Sequence, residues 1–418
     1  MTVNYLLYVE SYIVVKTNGK AVLLFNVLNN EKYIINVNNL HPTLNALLID
    51  TVLNSFYKYT EISKSIHFEL LNDQTFIALR ESFMLDIVVL YNRPIPALIS
   101  SKPHLQIAAW QNSAKNLFST FTEIYLYING IGIEYEHSKL RDYNKQFNFP
   151  ISTTNSKTNH RELIDLIDIF VKYKVKCINL NLHQWSSIKT FNVFIRTWIS
   201  LKSTSFKIHV TFMEFHLLQN SIIGCGFIPE LCYVYFFELI QHKDRINEVL
   251  EFCNIHSRDI QFVFCLIIED TKEYSHAEKL SYSFPHHTFQ FLPYIDGKNE
   301  YFLKHYIKYT VDDLFNVNHS LRNISVNESL NAYFYDKISI DANGDLFTSF
   351  NLDKIGNIFE KNLKIKEKLH NIDSIWFLTR NKVKPCIDCL FNCFCPPIND
   401  INLHLKSFDL CIKEKTTL

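Results

Sequence analysis

The strongest constraint on the fold is a long alternation of short apolar segments with helical patterns, which runs through the middle of the chain. Apolar runs of strand length lie at residues 123–128, 176–182, 207–212, 231–236, 260–268 and 289–294. Helical patterns lie between and after them, at residues 160–173, 185–201, 242–252, 272–282 and 300–315. Strands that alternate with helices predict βα units and a parallel sheet. We therefore predict an α/β fold with a partial (βα)6 TIM-type barrel at residues 121–316, because six units are too few for a closed eight-unit barrel.

The N-terminal part of the chain has a different pattern, with apolar runs separated by turn residues. Within residues 12–37, an Asn-Gly pair and an Asn-Asn pair each separate two runs of β-branched and aromatic residues, which is typical of hairpins. The spacing of leucines predicts a helix over residues 42–59, and residues 67–79 are expected to form a further hairpin. We therefore predict a small β-hairpin and winged-helix domain at residues 1–91, followed by a linker rich in Pro and Ser at residues 92–120.

Near the C-terminus, four of the ten cysteines lie within ten residues. They are Cys386, Cys389, Cys393 and Cys395, and Cys411 follows them. Thiolates this close in sequence suit a soft metal or an iron–sulfur cluster, because a tight turn can aim several sulfurs at one point. Four sulfurs suit zinc and a [4Fe–4S] cluster equally well, so the spacing leaves the metal open. The alternative is a group of buried thiols that bind no metal.

The order of motifs before these cysteines resembles the C-terminal SPASM extension of radical S-adenosylmethionine peptide maturases. The match covers residues 337–411: a hairpin with Asp-Ala-Asn-Gly-Asp, then Ile-Gly-Asn-Ile, a helical stretch, and Cys-x2-Cys-x5-Cys-Pro. The resemblance implies a SPASM-like metal-binding domain at residues 317–418, behind a partial barrel. It also implies one [4Fe–4S] cluster, or a structural zinc, held by Cys386, Cys389, Cys395 and Cys411.

Two departures from that family pattern bear on activity. A first auxiliary cluster would need one cysteine after the hairpin, another near the Gly-Asn turn, and a further one after a three-residue gap from Cys395. At these places the chain has Phe-Thr-Ser-Phe-Asn-Leu (residues 347–352), no cysteine within residues 355–360, and Asn399. The catalytic Cys-x3-Cys-x2-Cys motif is absent from the whole sequence, and residues 129–137 after the first barrel strand contain no cysteine. We therefore expect no use of S-adenosylmethionine, and the chain resembles a pseudo-radical-SAM protein.

The N-terminal domain resembles the winged-helix leader-recognition domain of peptide-modifying systems. The resemblance rests on residues 12–15, 22–26 and 32–36. It implies that a precursor peptide adds a strand beside the third strand of the sheet, along Tyr33, Ile34 and Ile35. The alternative is a three-stranded sheet that covers a core and binds no ligand, since most edge strands are not used for binding.

The composition limits the partners that this chain can have. It carries 42 Lys and Arg against 42 Asp and Glu, so its formal net charge is zero. That balance argues against nucleic acid or an anionic membrane as the main partner. Residues 1–5 lack the basic-then-apolar layout of a signal peptide, and no uncharged apolar run reaches about 18 residues. We therefore expect a cytoplasmic protein.

These observations and resemblances lead to three hypotheses about function. The first is a non-catalytic protein that binds the precursor of a ribosomally synthesised modified peptide and presents it to a partner enzyme. The second is a peptide-modifying enzyme with non-radical chemistry at the barrel mouth, where Glu134, Glu136 and His137 would serve as acid–base groups. A solvated loop is the simpler interpretation of these three residues. The third is a structural subunit in a heterodimer with an active maturase.

Overall fold

The computed structural model describes most of the chain. It covers residues 3–53, 59–91, 121–129, 138–150, 170, 175–183, 205–216, 218–220, 231–256, 260–302, 305–306, 308–359, 368–369, 371, 373–408 and 411. The predicted linker, the helical patterns at 160–173 (apart from Phe170) and 185–201, and the mouth residues Glu134, Glu136 and His137 lie outside the described residues.

The described strands and helices are as follows. The strands are β1 (Val3–Val9), β2 (Ile13–Thr17), β3 (Ala21–Asn26), β4 (Lys32–Asn36), β5 (Tyr59–Ile62), β6 (Leu85–Tyr91), β7 (Glu123–Asn129), β8 (Cys177–His183), β9 (Ser205–Thr211), β10 (Leu231–Phe236), β11 (Gln261–Ile268), β12 (Thr288–Pro293), β13 (Lys337–Ile340), β14 (Asp345–Phe347) and β15 (Gly356–Asn357). The helices are α1 (Pro42–Leu53), α2 (Lys64–Leu71), α3 (Gln74–Glu81), α4 (Ser138–Gln146), α5 (Lys243–His256), α6 (Thr271–Ser283), α7 (Glu300–Phe302), α8 (Val311–Phe315), α9 (Leu321–Ser329) and α10 (Asp400–Leu405).

A mixed α/β architecture is confirmed by a nine-stranded, mostly parallel sheet. Its strand order is β12-β11-β10-β9-β8-β7-β13-β14-β15. The strands β7 to β12 are parallel neighbours in chain order, and β13 pairs in parallel with β7. The antiparallel hairpin of β13 and β14, followed by β15, completes the sheet. The six strands predicted from the sequence all occur here, each within two residues of its predicted bounds.

One face of this sheet is apolar and carries the main core. Alternate residues such as Leu126, Leu180 and Val210 are buried there. They belong to one cluster with buried residues of α5 and α6, including Leu250 and Leu280. Burial of this face against helices is what a parallel sheet requires, because its crossover helices must cover it.

Helices, rather than the predicted hairpin, occupy residues 67–79. Ser63 accepts a hydrogen bond from the backbone N–H of Ile66 at 3.3 Å, and thereby caps α2. Asp73 accepts one from Phe76 at 2.8 Å, and caps α3. These caps satisfy N–H groups at the helix ends, and they override the strand propensity of the apolar residues. The hairpin prediction was therefore wrong.

Other element boundaries also differ from prediction. The helix predicted at residues 42–59 ends at Leu53 as described, and Tyr59 already belongs to β5. The segment 300–315 is not one continuous helix, because Thr310 and Asp313 form a capping box that begins α8. In addition, β1 was not predicted; it lies between β5 and β6 in an antiparallel sheet. Within the described residues, no helix has the length and hydropathy that a bilayer span requires.

Candidate metal centre and peptide-binding edge

The cysteine segment folds as a series of short turns rather than as a regular helix or strand. A single 3-10 turn covers Cys386–Asp388, and the N–H of Cys389 donates to the carbonyl of Cys386 at 3.0 Å. The side-chain amide of Asn392 donates to the same carbonyl at 3.2 Å. Tight turns of this kind bring side chains that are near in sequence to the same side of the chain.

The thiol of Cys395 interacts electrostatically with the other three predicted ligands. Burial raises the pKa of Cys395 to about 12; Arg380 opposes this rise, and the thiols of Cys389, Cys386 and Cys411 add to it. The four thiols therefore share one electrostatic environment.

Two hydrogen-bond donors lie near these sulfurs, and the thiol of Cys386 itself donates to the carbonyl of Phe408 at 3.4 Å. The buried Arg380 lies with one guanidinium nitrogen 3.8 Å from the sulfur of Cys386, and it also donates to the carbonyls of Pro396 and Phe408. The backbone N–H of Phe391 lies 3.4 Å from the sulfur of Cys389. Such donors stabilise thiolate charge, as the surroundings of metal-bound sulfur do.

A thiolate metal site fits the donor chemistry of these four residues. Among the described residues, however, no group of three or more His, Cys, Asp or Glu side chains has the arrangement of a formed metal site. The fifth cysteine of the segment, Cys393, is buried within an apolar cluster with Leu390 and Phe394, whereas Cys395 is only partly buried against the same cluster.

The remaining described cysteines lie on strands of the nine-stranded sheet and on α5. Cys177, Cys232, Cys253 and Cys265 are buried thiols, and burial is the main cause of the raised pKa of each. Their positions suit small core residues. Cys225 lies outside the described residues.

The positions at which the resemblance would require further cysteines instead form a hydrogen-bonded polar cluster. Asp400 accepts hydrogen bonds from the hydroxyls of Ser349 and, at 3.1 Å, of Tyr333. The amide of Asn351 donates to the backbone carbonyl of Asp400 at 3.3 Å. Asn399 caps α10 by accepting from Asn402 at 3.2 Å. Oxygen and amide groups are thus bonded to one another where the first auxiliary cluster would need thiolates.

The predicted peptide-binding edge lies on β4, which has β3 as its neighbour on one side only within the described part of the chain. The backbone N–H of Asn26 donates to the carbonyl of Glu31 at 2.9 Å, and this bond shows which residues of β4 have their backbone groups paired with β3. Backbone groups alternate along an antiparallel pair, so those of Tyr33 and Ile35 face β3 and those of Ile34 face away. The β4 residues with outward-facing backbone groups are Lys32, Ile34 and Asn36.

The side chains of β4 are divided between two apolar clusters. Tyr33 and Ile35 pack against the N-terminal core, which contains α1 and α3 residues, and Ile34 packs on the opposite face. The hydroxyl of Tyr33 lies 2.6 Å from that of Ser82, directly after α3. This contact ties β4 to the end of α3.

A feature that the sequence analysis missed is a polar face on the nine-stranded sheet. It comprises Tyr125, Tyr127, Asn179, Asn181, His209, Tyr233 and Tyr235, which alternate with the apolar residues of the opposite face. The signal was present in the sequence, because Ile-Asn-Leu-Asn-Leu in β8 alternates strictly. Strands buried on two apolar faces have continuous apolar runs instead.

His209 is the centre of this polar face. Its Nε2 donates to Asn179 Oδ1 at 3.0 Å, and its Nδ1 accepts from the hydroxyl of Tyr235 at 3.0 Å. Burial, with a smaller effect of Lys207, lowers the pKa of His209 to about 3. The imidazole is therefore neutral at physiological pH.

Several buried polar atoms of the polar face have no hydrogen-bond partner among the residues that the structure describes. They are Tyr127 Oη, Asn179 Nδ2, and both Nδ2 and Oδ1 of Asn181. Unpartnered buried donors and acceptors are costly, and they indicate a place for water or for a polar ligand.

No protein-family model matches the chain, and no curated protein has significant similarity to it.

Proposed function

We propose that the chain is a non-catalytic peptide-binding protein of a peptide-maturation system. It binds a ribosomal precursor peptide at the edge of β4 and presents it to a partner enzyme. The observation that carries this proposal is the outward-facing backbone of β4. The sequence adds that the chain has the Cys-x2-Cys-x5-Cys spacing but no Cys-x3-Cys-x2-Cys motif.

The order of the parallel strands supports a radical-SAM-like partial (βα)6 barrel. Because β7 to β12 are neighbours in chain order, right-handed crossovers place every connecting segment on the same face of the sheet. A doubly wound fold would reverse the strand order partway through the sheet. The packing of both α5 and α6 on the apolar face agrees with a barrel arrangement.

In this proposal the metal has a structural role. Cys386, Cys389, Cys395 and Cys411 would hold a [4Fe–4S] cluster or zinc, which would cross-link the cysteine segment to Cys411. Arg380 and the backbone N–H of Phe391 would offset the negative charge of the thiolates.

Peptide binding would proceed by strand addition. The outward-facing N–H and C=O groups of Lys32, Ile34 and Asn36 would pair with an extended peptide, and the main chain would supply most of the affinity.

A displayed library of random 20-residue peptides tests this proposal without knowledge of the natural precursor. Peptides enriched on the metal-loaded chain should lose at least about tenfold in affinity for Ile34→Pro, because proline removes an outward-facing N–H without breaking the β3–β4 ladder. Val89→Pro is the matched control. It removes an outward-facing N–H on β6, and it should leave affinity unchanged. Equal binding to both variants, or failure to enrich any peptide, would contradict the proposal.

A second candidate function is favoured by the polar face of the sheet. Its unpartnered amides and hydroxyl would bind a small, uncharged ligand that both donates and accepts hydrogen bonds, as an enzyme active site would. Native mass spectrometry of the purified chain tests this alternative. A co-purified small molecule that is lost in Asn181→Leu but kept in Asn323→Leu, at an exposed asparagine of α9, would support it.

A further inference from the structure

The three-stranded sheet of β2, β3 and β4 is buried on both faces. Val22 and Leu24 pack into the N-terminal core on one face. Leu23 and Phe25, the alternate residues of the same strand, pack on the other face. All four side chains are completely buried. A small terminal domain normally has one solvent-facing sheet surface, so the second buried face indicates a permanent neighbour.

That neighbour is the cysteine segment with the helices next to it. We define the shared cluster as the buried residues on this second face together with their partners: Val14, Ala21, Leu23, Phe25, Leu314, Phe315, Ile324, Leu390, Cys393 and Phe394. The ring of Phe25 lies 4.9 Å from that of Phe394 and 5.4 Å from that of Phe315, between centroids. Cys395, one of the four candidate ligands, is partly buried against the same cluster.

Ion pairs at the margin of the shared cluster also connect the N-terminal sheet to α8 and α9. Lys16 of β2 forms an ion pair with Glu328 of α9. Although burial lowers the pKa of Lys16, the adjacent Cys393 and Glu328 raise it above the ordinary lysine value. Lys32, at the start of β4, lies 3.4 Å from Asp312 of α8.

The shared cluster also reaches the binding edge itself. Ile34, whose backbone faces outward on β4, has its side chain packed against the cluster that contains Cys393 and Phe394. The position of the central edge residue is therefore set by the loop that carries the candidate metal ligands. Packed cores transmit such constraints because they have few voids into which a side chain can shift.

We propose that metal binding at the cysteine segment and peptide binding at β4 are thermodynamically linked through the shared cluster. This inference rests on the proposed function. A metal that fixes Cys389 and Cys395 restricts Phe394, and Phe394 in turn restricts Phe25 and Ile34. A peptide that binds an already ordered edge loses less conformational entropy, so the coupling is positive. By reciprocity, a bound peptide tightens metal binding by the same factor.

Hydrogen–deuterium exchange of the full chain tests this linkage with the metal alone as the probe. The chain is compared without metal and after loading with Zn²⁺ or with iron and sulfide, and metal content is measured in the same samples. We expect loading to slow exchange of the amides of Tyr33 and Ile35, which bond to β3, by about tenfold, within the usual range for coupled sites. Exchange in β6, which has no residue in the shared cluster, should not change.

Two substitutions in β3 separate the linkage from a general loss of stability. Phe25→Leu removes the ring contacts with Phe394 and should abolish the metal-dependent protection of β4 while metal still binds. Leu24→Ala weakens the N-terminal core on the other face and should retain the metal-dependent difference. Metal binding with no change in the exchange of β4 would overturn the linkage and leave the metal site standing. Failure of the full chain to bind either metal would overturn the proposed metal site and the linkage together.

Discussion

Among single residues, the buried His209 gives a pH dependence of stability that can be measured. The folded chain keeps His209 neutral down to about pH 3, whereas the unfolded chain takes up a proton near pH 6.5. The free energy of unfolding therefore falls as pH falls below 6.5, by up to about 1.4 kcal/mol per pH unit from this group. His209→Gln should reduce that slope between pH 6.5 and 4.5 in urea titrations. The same change at the exposed His286 is the control, and an unaltered slope in His209→Gln would contradict the prediction.

The buried carboxyl of Asp400 acts in the opposite direction. Burial raises its pKa to about 6, although hydrogen bonds from Ser349, Tyr333 and Asn351 lower it. The protonated carboxyl therefore stabilises the folded chain fully at pH values below about 4, the pKa in the unfolded chain. This stabilisation, about 3 kcal/mol in the free energy of unfolding, is lost as pH rises through about 6. Asp400→Asn keeps the shape of the protonated acid. We expect it to gain stability relative to the parent chain as pH rises from 4 to 7, while Asp353→Asn, at an exposed aspartate, should not.

At the scale of secondary-structure elements, β4 offers a direct test of the ladder phase. Ile35→Pro removes an N–H that bonds to β3, whereas Ile34→Pro removes one that faces away. Both substitutions impose the same restriction on φ, and each removes one partly buried isoleucine side chain, so the hydrogen bond is the main difference between them. Ile35→Pro should be less stable than Ile34→Pro by about 1–3 kcal/mol in chemical denaturation. The reverse order would show that the binding edge is made by Tyr33 and Ile35 instead.

An element is predictable from the sequence when the residues that determine it lie within the element itself. Strands β7 to β12 were predictable because each is a bounded apolar or alternating run, as in residues 231–236 of β10. Helices α2 and α3 were missed because their caps, Ser63 and Asp73, outweigh the strand propensity of short apolar runs. The cysteine motif predicted four candidate ligands, but spacing alone could not show that Cys393 is buried within an apolar cluster.

At the scale of the whole molecule, the sequence also indicates that the N-terminal sheet is covered on both faces. All six residues of β3 are buried, and five of them form the continuous apolar run Ala-Val-Leu-Leu-Phe. Such a run predicts a strand covered on both faces. It cannot identify the covering element, because residues 314–324 and 390–394 are brought to β3 only by the fold. The shared cluster is therefore a property of the complete chain.

This arrangement leads to a last prediction, for residues 1–91 produced as a separate fragment. Without the rest of the chain, Leu23 and Phe25 would lose their partners and leave an apolar sheet face in water. We expect the fragment to self-associate in sedimentation equilibrium experiments and to bind a fluorescent apolar dye. A fragment that carries both Leu23→Lys and Phe25→Lys should be monomeric, because these substitutions leave the N-terminal core on the other face intact. A monomeric unmodified fragment would instead mean that the N-terminal domain is stable alone, and that its contact with the cysteine segment is not needed to cover its sheet.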